Sequence, residues 1–380
     1  MTEKESAIAC GYVPFGYFSP ALSTEDTYPD YLKQEADLCV AEIKSHQTKN
    51  SVSFGFMADI HYSKTPNHHL RMQRATNVYR DIAQRTGTQM LVLGGDYSNN
   101  GCKDYFINNY KALRSFLSEF PYYPVNGNHD DNSFWDEWLE NLPAVNHLTP
   151  QELYPLFYDH LPGLGVHFDE NNPGLYYYKD DPVAKIRYVF MDSSDLALRF
   201  DADGKMLTTK QHHAAHSQQQ IDWLVTNALC FEEPGWSVLV IVHEAIAPGG
   251  RIFWQNENVQ IMNEIVRAYV SGEDVHQSWG EDEFHLQLDA PFSCCTRGEP
   301  IGVLSGHEHK DLLSRDSNGT PYISRGNFIM YNTPLSRLDG DKSELLFDIV
   351  TIDTECKKLY FTRIGAGDSL EVSYARPQGE

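Results

Sequence analysis

Short apolar runs alternate along the chain with longer segments that carry more polar residues. The runs at 51–58 (SVSFGFMA) and 90–95 (MLVLGG) have the length and composition of buried strands. The segments at 68–86 and 104–119 have the length and pattern of helices. This alternation predicts an α/β fold.

The pattern continues over the rest of the chain and predicts most of its framework. We expect further strands at 122–125, 186–194, 237–244 and 301–309. We expect further helices at 31–49, 211–229 and 257–271, and a β-hairpin at 345–364 that closes a sheet edge.

Long segments without a clear strand or helix pattern separate these elements, at 131–165, 195–210, 245–256 and 272–300. Loops of this length in a compact α/β domain usually serve function, so we expect them to form the walls of a substrate pocket. No internal repeat and no Pro/Gly/Ser linker divides the sequence. The sequence therefore predicts one domain over residues 51–380, with residues 1–50 as an extension packed on it.

Composition and charge narrow the class of protein. The chain has 380 residues, of which 41% are hydrophobic, enough for a large core. The formal net charge of −23 argues against long nucleic acid as a partner, and it is compatible with carboxylates that bind a divalent cation. The N-terminus lacks the apolar segment of a signal peptide, and no apolar run is long enough to span a bilayer. We expect a cytoplasmic protein without membrane contact, and the oligomeric state stays open.

The chain contains seven cysteines, an odd number without a C-x-x-C pair. We expect them to be reduced and mostly buried. Adjacent cysteines rarely meet the geometry of a disulfide, so Cys294 and Cys295 are not expected to pair.

Polar side chains follow the first two predicted strands. Asp59 and His61 come after the first strand in the sequence DIH, and alternation along an extended segment would point both side chains the same way. Asp96 comes after the second strand in GGD, where paired glycines let the backbone approach closely. Since ligands bind at the carboxyl ends of strands in α/β sheets, these positions are candidates for a site.

Three more strand ends carry the same residue types. Asn128 and His129 lie in GNHD, His243 lies in VHE, and His307 and His309 lie in GHEH. Each motif alone is compatible with an ordinary turn or a core histidine. Five strands that each deliver oxygen or imidazole donors to one rim indicate a metal site.

The motifs DIH, GGD, GNHD, VHE and GHEH, in this order over roughly residues 51–310, resemble the signature of the calcineurin-like metallophosphoesterase superfamily. The resemblance implies a four-layer α/β/β/α sandwich of two mixed β-sheets, with a dinuclear metal site at the carboxyl ends of the strands. It also implies a ligand set. In that set Asp59, His61 and His309 bind one metal, Asn128, His243 and His307 bind the other, and Asp96 bridges them.

This mixed nitrogen and oxygen ligand set suits two divalent ions of Mn, Fe, Zn or Ni better than calcium. Two ions at about 3.5–4 Å clamp a phosphoryl group and produce a metal-bridging hydroxide, which would be the nucleophile. His129 is expected to stay off the metals and to act in catalysis, by stabilising the equatorial oxygens or protonating the leaving alkoxide. We therefore expect a metal-dependent phosphoesterase that hydrolyses a phosphodiester or phosphomonoester of a small or nucleotide-like substrate.

Departures from known branches of the superfamily narrow the resemblance. Protein Ser/Thr phosphatases carry GDYVDRG, whereas this chain has GDYSNNG, with Asn99 and Asn100 in place of Asp and Arg. Purple acid phosphatases resemble G-D-x-x-Y, and Asn99 also occupies the place of that Tyr. The motif set is most similar to the branch with cyclic-nucleotide and other small phosphodiesterases.

Other readings of the sequence stay open. A protein-phosphatase-like activity, a nuclease for short substrates and a non-catalytic scaffold could share this fold, although the intact ligand positions argue against a scaffold. Glu244, directly after His243, is either a carboxylate that supports a ligand imidazole or a loop residue. The other candidate substrate contacts are Tyr97, Arg251, Trp254 and the pairs His68-His69 and His212-His213.

Overall fold

A computed structural model describes residues 23, 27–139, 143–170, 174–245, 255–328 and 333–375. The helices are α1 (Asp30–His46), α2 (Pro66–Thr86), α3 (Lys103–Leu117), α4 (Ser133–Trp138), α5 (Pro150–Phe157), α6 (Gln218–Trp223) and α7 (Ile261–Ser271). A π-helical turn (Leu224–Ala228) extends α6, and short 3-10 helices lie at Leu161–Leu164, Asp282–Phe284 and Lys342–Glu344.

The first sheet has a parallel half and an antiparallel half. Its strands are β1 (Ser51–Met57), β2 (Leu91–Leu93), β3 (Tyr122–Pro124), β15 (Leu346–Asp353), β16 (Lys358–Gly365) and β17 (Leu370–Ser373), in the order β17-β16-β15-β1-β2-β3. The strands β1, β2 and β3 run parallel, so their carboxyl ends lie at one edge. The predicted C-terminal hairpin is confirmed as β15 and β16, which extend this sheet from β1.

The second sheet is also mixed. Its strands are β4 (Val166–Phe168), β5 (Tyr177–Asp181), β6 (Ile186–Met191), β8 (Ser237–Val242), β12 (Glu299–Ser305), β13 (Leu312–Arg315) and β14 (Pro321–Ser324), in the order β13-β14-β12-β8-β6-β5-β4. The central strands β6, β8, β12 and β14 are parallel. Separate small sheets consist of β7 (His213–Ala214) with β9 (Gln255–Asn256), and of β10 (Asp274–Trp279) with β11 (Leu286–Pro291).

Two apolar clusters show how the layers are stacked. One cluster joins Phe54 of the first sheet to Phe190 and Ile241 of the second, and continues to the helices α1, α2 and α3. The other covers the opposite face of the second sheet with α6, α7 and the β10-β11 hairpin. Helices therefore lie on both outer faces of the paired sheets, and the predicted four-layer α/β/β/α sandwich is confirmed.

Some predicted loops contain regular structure. The segment 131–165 includes α4 and α5, and the segment 272–300 includes the hairpin β10-β11. The helix expected at 211–229 begins only at Gln218, where the Ser217 side chain accepts a hydrogen bond from Gln220 N at 3.2 Å. Local apolar spacing could not show these elements, because tertiary contacts fix short segments.

The prediction that all cysteines are reduced is wrong. Cys230 and Cys295 form a disulfide with Cα atoms 5.6 Å apart, although 65 positions separate them in sequence. Their segments run side by side, since Phe231 N donates to Thr296 O at 2.9 Å, and sequence spacing does not reveal this proximity. The prediction that most cysteines are buried is also wrong. Of the six that the structure describes, Cys39 is buried, Cys102, Cys230 and Cys295 are half-buried, and Cys294 and Cys356 are exposed.

Among the described residues, none of the helices is both long enough and apolar enough to cross a bilayer.

Candidate metal centre

The carboxyl ends of five strands meet at the seam between the two sheets. The first sheet contributes the residues that follow β1, β2 and β3, and the second contributes those that follow β8 and β12. In chain order these residues are Asp59, His61, Asp96, Asn128, His129, His243, His307 and His309. The structure thus places all eight predicted site residues in one region.

Most of these side chains are presented by strained backbone. Asp59, His61, Asp96, His307 and His309 have positive φ values of 52°, 42°, 57°, 70° and 54°. Non-glycine residues seldom adopt this left-handed conformation, and where they do it often marks a functional site. The expected extended alternation of Asp59 and His61 is therefore wrong, because β1 ends at Met57 and the chain turns before both residues.

Four buried residues form the centre of the cluster. One ligand atom from each of Asp59, His61, Asp96 and His309 lies within 4.8 Å of the other three. His61 Nε2 is 3.5 Å from Asp96 Oδ2, and His309 Nε2 is 3.3 Å from Asp59 Oδ1. Donors that share an ion at roughly 2.0–2.2 Å lie at about such separations from each other.

Asn128, His243 and His307 form a second group that is continuous with the first. Asn128 Oδ1 lies 3.0 Å from His243 Nε2 and 3.2 Å from His307 Nδ1. His243 Nε2 is also 3.3 Å from Asp96 Oδ2. Since Asp96 Oδ2 faces both His61 and His243, this carboxylate connects the two groups.

The partners of the two ring nitrogens of His243 indicate whether the cluster fits a metal ion. Its Nδ1 lies 2.7 Å from the carbonyl oxygen of Gly94, which can only accept, so Nδ1 carries a proton. If the ring is neutral, Nε2 has no proton, and its lone pair faces two oxygens, Asn128 Oδ1 and Asp96 Oδ2. This arrangement requires a positive charge between the atoms, either a second proton or a metal cation, and the donor set fits a divalent metal.

Electrostatics agree with this interpretation. Burial opposes a second proton on His243, but the Asp96 carboxylate outweighs it and raises the pKa of the imidazole to about 10. Burial lowers the pKa values of His61 and His307 to about 3, which keeps both rings in the neutral form that binds metals.

Asp130, the last residue of GNHD, holds the ligand loops together. Its Oδ2 accepts from Asp96 N at 2.9 Å and from Gly127 N at 2.7 Å. Its Oδ1 accepts from Tyr97 N at 2.8 Å and from Tyr110 Oη at 2.6 Å. Sequence reasoning missed this role, because the motif shows that an Asp follows the histidine but not which backbone it meets.

His129 lies beside the candidate metal ligands and is oriented by Asn100. The backbone N of His129 donates to Asp96 Oδ1 at 2.9 Å, and its Nδ1 makes a short hydrogen bond with Asn100 Oδ1. Asn100 in turn donates to Asn132 Oδ1 at 3.2 Å. The residue at the position of the protein-phosphatase Arg therefore contacts the candidate catalytic histidine, which the motif alone did not predict. Burial lowers the pKa of His129.

Of the other residues that the sequence suggested as substrate contacts, those that the structure describes are bonded to protein groups. Tyr97 is fully buried, and its hydroxyl donates to the carbonyl oxygens of Leu93 and Val125, so it does not line a pocket. In α2, the Nδ1 atoms of His68 and His69 contact Ser63 Oγ at 2.6 Å and Tyr62 Oη at 3.2 Å.

The segment that carries His212 and His213 lies close to the centre. His212 pairs with Glu137 at 3.2 Å and His213 pairs with Glu257 at 2.8 Å. Glu244 is half-buried, and burial raises the pKa of its carboxyl to about 8. Arg251 and Trp254 lie outside the described residues.

The chain is similar to known proteins of one family. The profile of the calcineurin-like phosphoesterases matches residues 52–311. A search of curated proteins finds no significant match. A dimetal phosphatase from Danio rerio has a similar structure, with a TM-score of 0.53 and 15% identity over 85% of this chain and 99% of that chain. At this identity the likeness shows the fold alone.

Two larger structures align more loosely. A 5'-nucleotidase from Candida albicans has a TM-score of 0.37 and 15% identity, and the alignment covers 73% of this chain and 45% of that chain. An NAD nucleotidase from Haemophilus influenzae has a TM-score of 0.36 and 11% identity, with 86% of this chain and 49% of that chain covered.

The family profile spans most of the chain, from β1 to the turn after β12, and so includes every strand end that carries a site residue. The protein belongs to the calcineurin-like phosphoesterase family and is a hydrolase of phosphoric ester bonds.

Proposed function

We propose that the protein is a metal-dependent phosphoesterase that hydrolyses a small or nucleotide-like phosphodiester or phosphomonoester. The observation that carries the proposal is the cluster at the seam, where carboxylates, imidazoles and one amide oxygen lie at the separations of atoms that share metal ions. Such a cluster of buried charges without bound cations would be costly, whereas divalent ions make it favourable.

The proposed ligand assignment follows the two groups in the cluster. Asp59, His61 and His309 hold one ion, Asn128, His243 and His307 hold the other, and Asp96 lies between them. The contacts of Asp96 Oδ2 with His61 and His243 support its bridging role. When bound, two divalent ions of Mn, Fe, Zn or Ni supply the positive charge that polarises a phosphoryl group and acidifies an attacking water.

His129 has the position of the catalytic residue in this proposal. Its Nδ1 is fixed by Asn100, which leaves Nε2 on the opposite edge of the ring for the substrate. From there it stabilises the phosphoryl oxygens or protonates the leaving alkoxide. Its ring lies 5.0 Å from that of His61, close to the proposed metals.

The charge of the protein favours a small substrate. The net charge of −23 repels long polyanions. A short phosphate ester can instead bind through the metals at the centre.

The experiment that tests the function is hydrolysis of two model esters by chelator-treated protein. Bis-p-nitrophenyl phosphate represents diesters and p-nitrophenyl phosphate represents monoesters. We expect turnover only after Mn²⁺, Fe²⁺, Zn²⁺ or Ni²⁺ is added, and the ratio of the two rates identifies the preferred ester class. Folded protein that binds these metals but hydrolyses neither ester would contradict the proposal and favour a non-catalytic scaffold.

We expect His129→Ala to lower kcat by about 10²- to 10⁴-fold, because it removes a group that acts on the transition state. The size of the loss distinguishes its two roles. If His129 protonates the leaving group, the loss should be larger for an alkyl ester than for a p-nitrophenyl ester, whose leaving group needs no protonation.

A matched control for this substitution is His276→Ala. The His276 side chain is 69% exposed and pairs with Asp289 across the β10-β11 hairpin, which is separate from the two large sheets that carry the cluster. The kcat of the His276→Ala variant should equal that of the wild type. An unchanged kcat in His129→Ala with both kinds of ester would remove His129 from the mechanism.

A further inference from the structure

The amide of Asn128 has different neighbours on its two sides. Its Oδ1 faces His243 Nε2 at 3.0 Å and His307 Nδ1 at 3.2 Å. Its Nδ2 donates to Gln211 Oε1 at 3.1 Å, across 83 positions of sequence. Gln211 belongs to none of the five motifs, and no sequence pattern singled it out.

We propose that Gln211 is a positioning residue that orients the Asn128 amide, so that its oxygen rather than its nitrogen faces the metal centre. The inference rests on the proposed function, in which Asn128 is a metal ligand. The two ends of an amide are nearly equal in size, so packing alone hardly distinguishes them. Only the oxygen has lone pairs to offer to a cation, whereas the amide nitrogen is a donor. An acceptor at Gln211 favours the productive orientation.

The segment that carries Gln211 is attached firmly to the turn that carries Asn128. Thr209 Oγ1 donates to Glu137 Oε2 at 3.1 Å, and His212 Nε2 lies 3.2 Å from Glu137 Oε1. Between them, Lys210 N donates to Ser133 Oγ at 3.2 Å. Both partners belong to α4, the helix directly after GNHD, so Gln211 is held at a fixed distance from Asn128.

A buried charge pair strengthens this attachment. The side chain of Lys210 is only 4% exposed, and its Nζ lies 4.0 Å from Asp131 Oδ2. Asp131 Oδ1 also accepts from Ser133 N at 2.8 Å at the start of α4. Moving the segment would separate two buried charges, which is strongly unfavourable. The backbone of Gln211 is therefore held beside Asn128 before any metal binds.

The test is calorimetric titration of the chelator-treated full-length protein with Mn²⁺. Gln211→Met keeps the length of the side chain but removes the acceptor, and we expect it to weaken one of the two Mn²⁺ sites by about 10- to 100-fold. Gln211→Glu keeps an acceptor and should bind both ions nearly as the wild type does. Gln260→Met is the matched control, since Gln260 is half-buried at the start of α7 and makes no side-chain hydrogen bond to the described residues.

A double mutant separates orientation from general structural support. In Asn128→Asp both side-chain oxygens can bind a metal, so the orientation of the group no longer matters. Gln211→Met should therefore cost no further Mn²⁺ affinity in the Asn128→Asp background. A loss of equal size in both backgrounds would overturn the inference. Melting temperatures without metal check that each variant folds, and Gln211→Ala replaces Gln211→Met if the latter does not.

The outcomes for the inference and for the proposed function are distinguishable. If Gln211→Met binds two Mn²⁺ ions like the wild type, the inference is wrong even when the wild type hydrolyses both esters. If the wild type hydrolyses neither ester but Gln211→Met weakens one Mn²⁺ site, the inference holds and the proposed function fails. A wild type that binds no Mn²⁺ contradicts both.

Discussion

Asp96→Asn is expected to lower kcat on both model esters by at least about 10³-fold, since removal of a single preorganised electrostatic group can already cost 10²- to 10³-fold. The Asn side chain has almost the same shape, and its oxygen can still accept from His129 N, as Asp96 Oδ1 does at 2.9 Å. The change acts at Oδ2, which faces His61 Nε2 and His243 Nε2. An amide nitrogen at that place cannot bridge two cations.

Metal stoichiometry and a buried control make this prediction specific. Asp96→Asn should bind fewer Mn²⁺ ions per chain than the wild type, as measured by metal analysis after gel filtration. Asp353→Asn is the control, because Asp353 is as buried as Asp96 but caps the turn between β15 and β16, where it accepts from Glu355 N at 2.9 Å. Wild-type turnover in Asp96→Asn would contradict the bridging role.

The second large effect concerns stability. Asp348→Asn is expected to lower the free energy of unfolding by about 3–5 kcal/mol, as for the loss of one partner of a buried ion pair. Asp348 lies on β15, is 1% exposed, and accepts hydrogen bonds from two arginines. Arg325 Nε and Nη2 donate to it at 3.0 and 2.8 Å, and Arg363 Nε donates at 3.0 Å. Without the carboxylate, two buried guanidinium groups lose their main counter-charge.

This network also supports the candidate metal centre. Arg363 Nη2 donates to Asp311 Oδ1 at 2.8 Å, and Gly326 N donates to the same oxygen at 2.8 Å. Asp311 lies two residues after His309. The ligand turn after β12 is thus fastened to the first sheet through Arg363, and Asp348→Asn should loosen it.

Urea denaturation at pH 7 measures the stability change, with Asp30→Asn as the control. Asp30 forms an exposed pair with Lys33, which contributes less than about 1 kcal/mol. A similar loss in both variants would contradict the prediction.

The stability that Asp348 contributes should also depend on pH. Burial alone would raise the pKa of Asp348, but the two guanidiniums outweigh it and hold the pKa below its ordinary value. This stabilisation is therefore present at neutral pH and is lost as the pH falls through the acid range below the ordinary carboxyl pKa.

The ends of strands account for what could be predicted about the site. DIH, GGD, GNHD, VHE and GHEH each follow an apolar run, and the topology of parallel strands brings such ends to one edge. The residue types and their approximate place were therefore predictable. The left-handed backbone of Asp59, His61 and Asp96 was not, because the torsion angles depend on contacts such as that between His307 N and Asp59.

Residues that support the site were missed for the same reason. Asn100, Asp130 and Gln211 are ordinary polar residues in sequence, and their roles depend on partners that are 29 to 83 positions away or on backbone groups. The disulfide between Cys230 and Cys295 is also defined by segments that are distant in sequence. Local pattern carries no information about such pairs.

The sequence by itself determined the α/β class, the framework strands and helices, and the residue types at the candidate metal centre. These properties depend on local periodicity and on which residues follow each strand. Only the tertiary structure decided which carboxylate faces both imidazole groups, which amide orients His129 and which glutamine orients Asn128. Those relations are distances of about 3 Å between side chains that are far apart in sequence, and packing of the whole chain sets such distances.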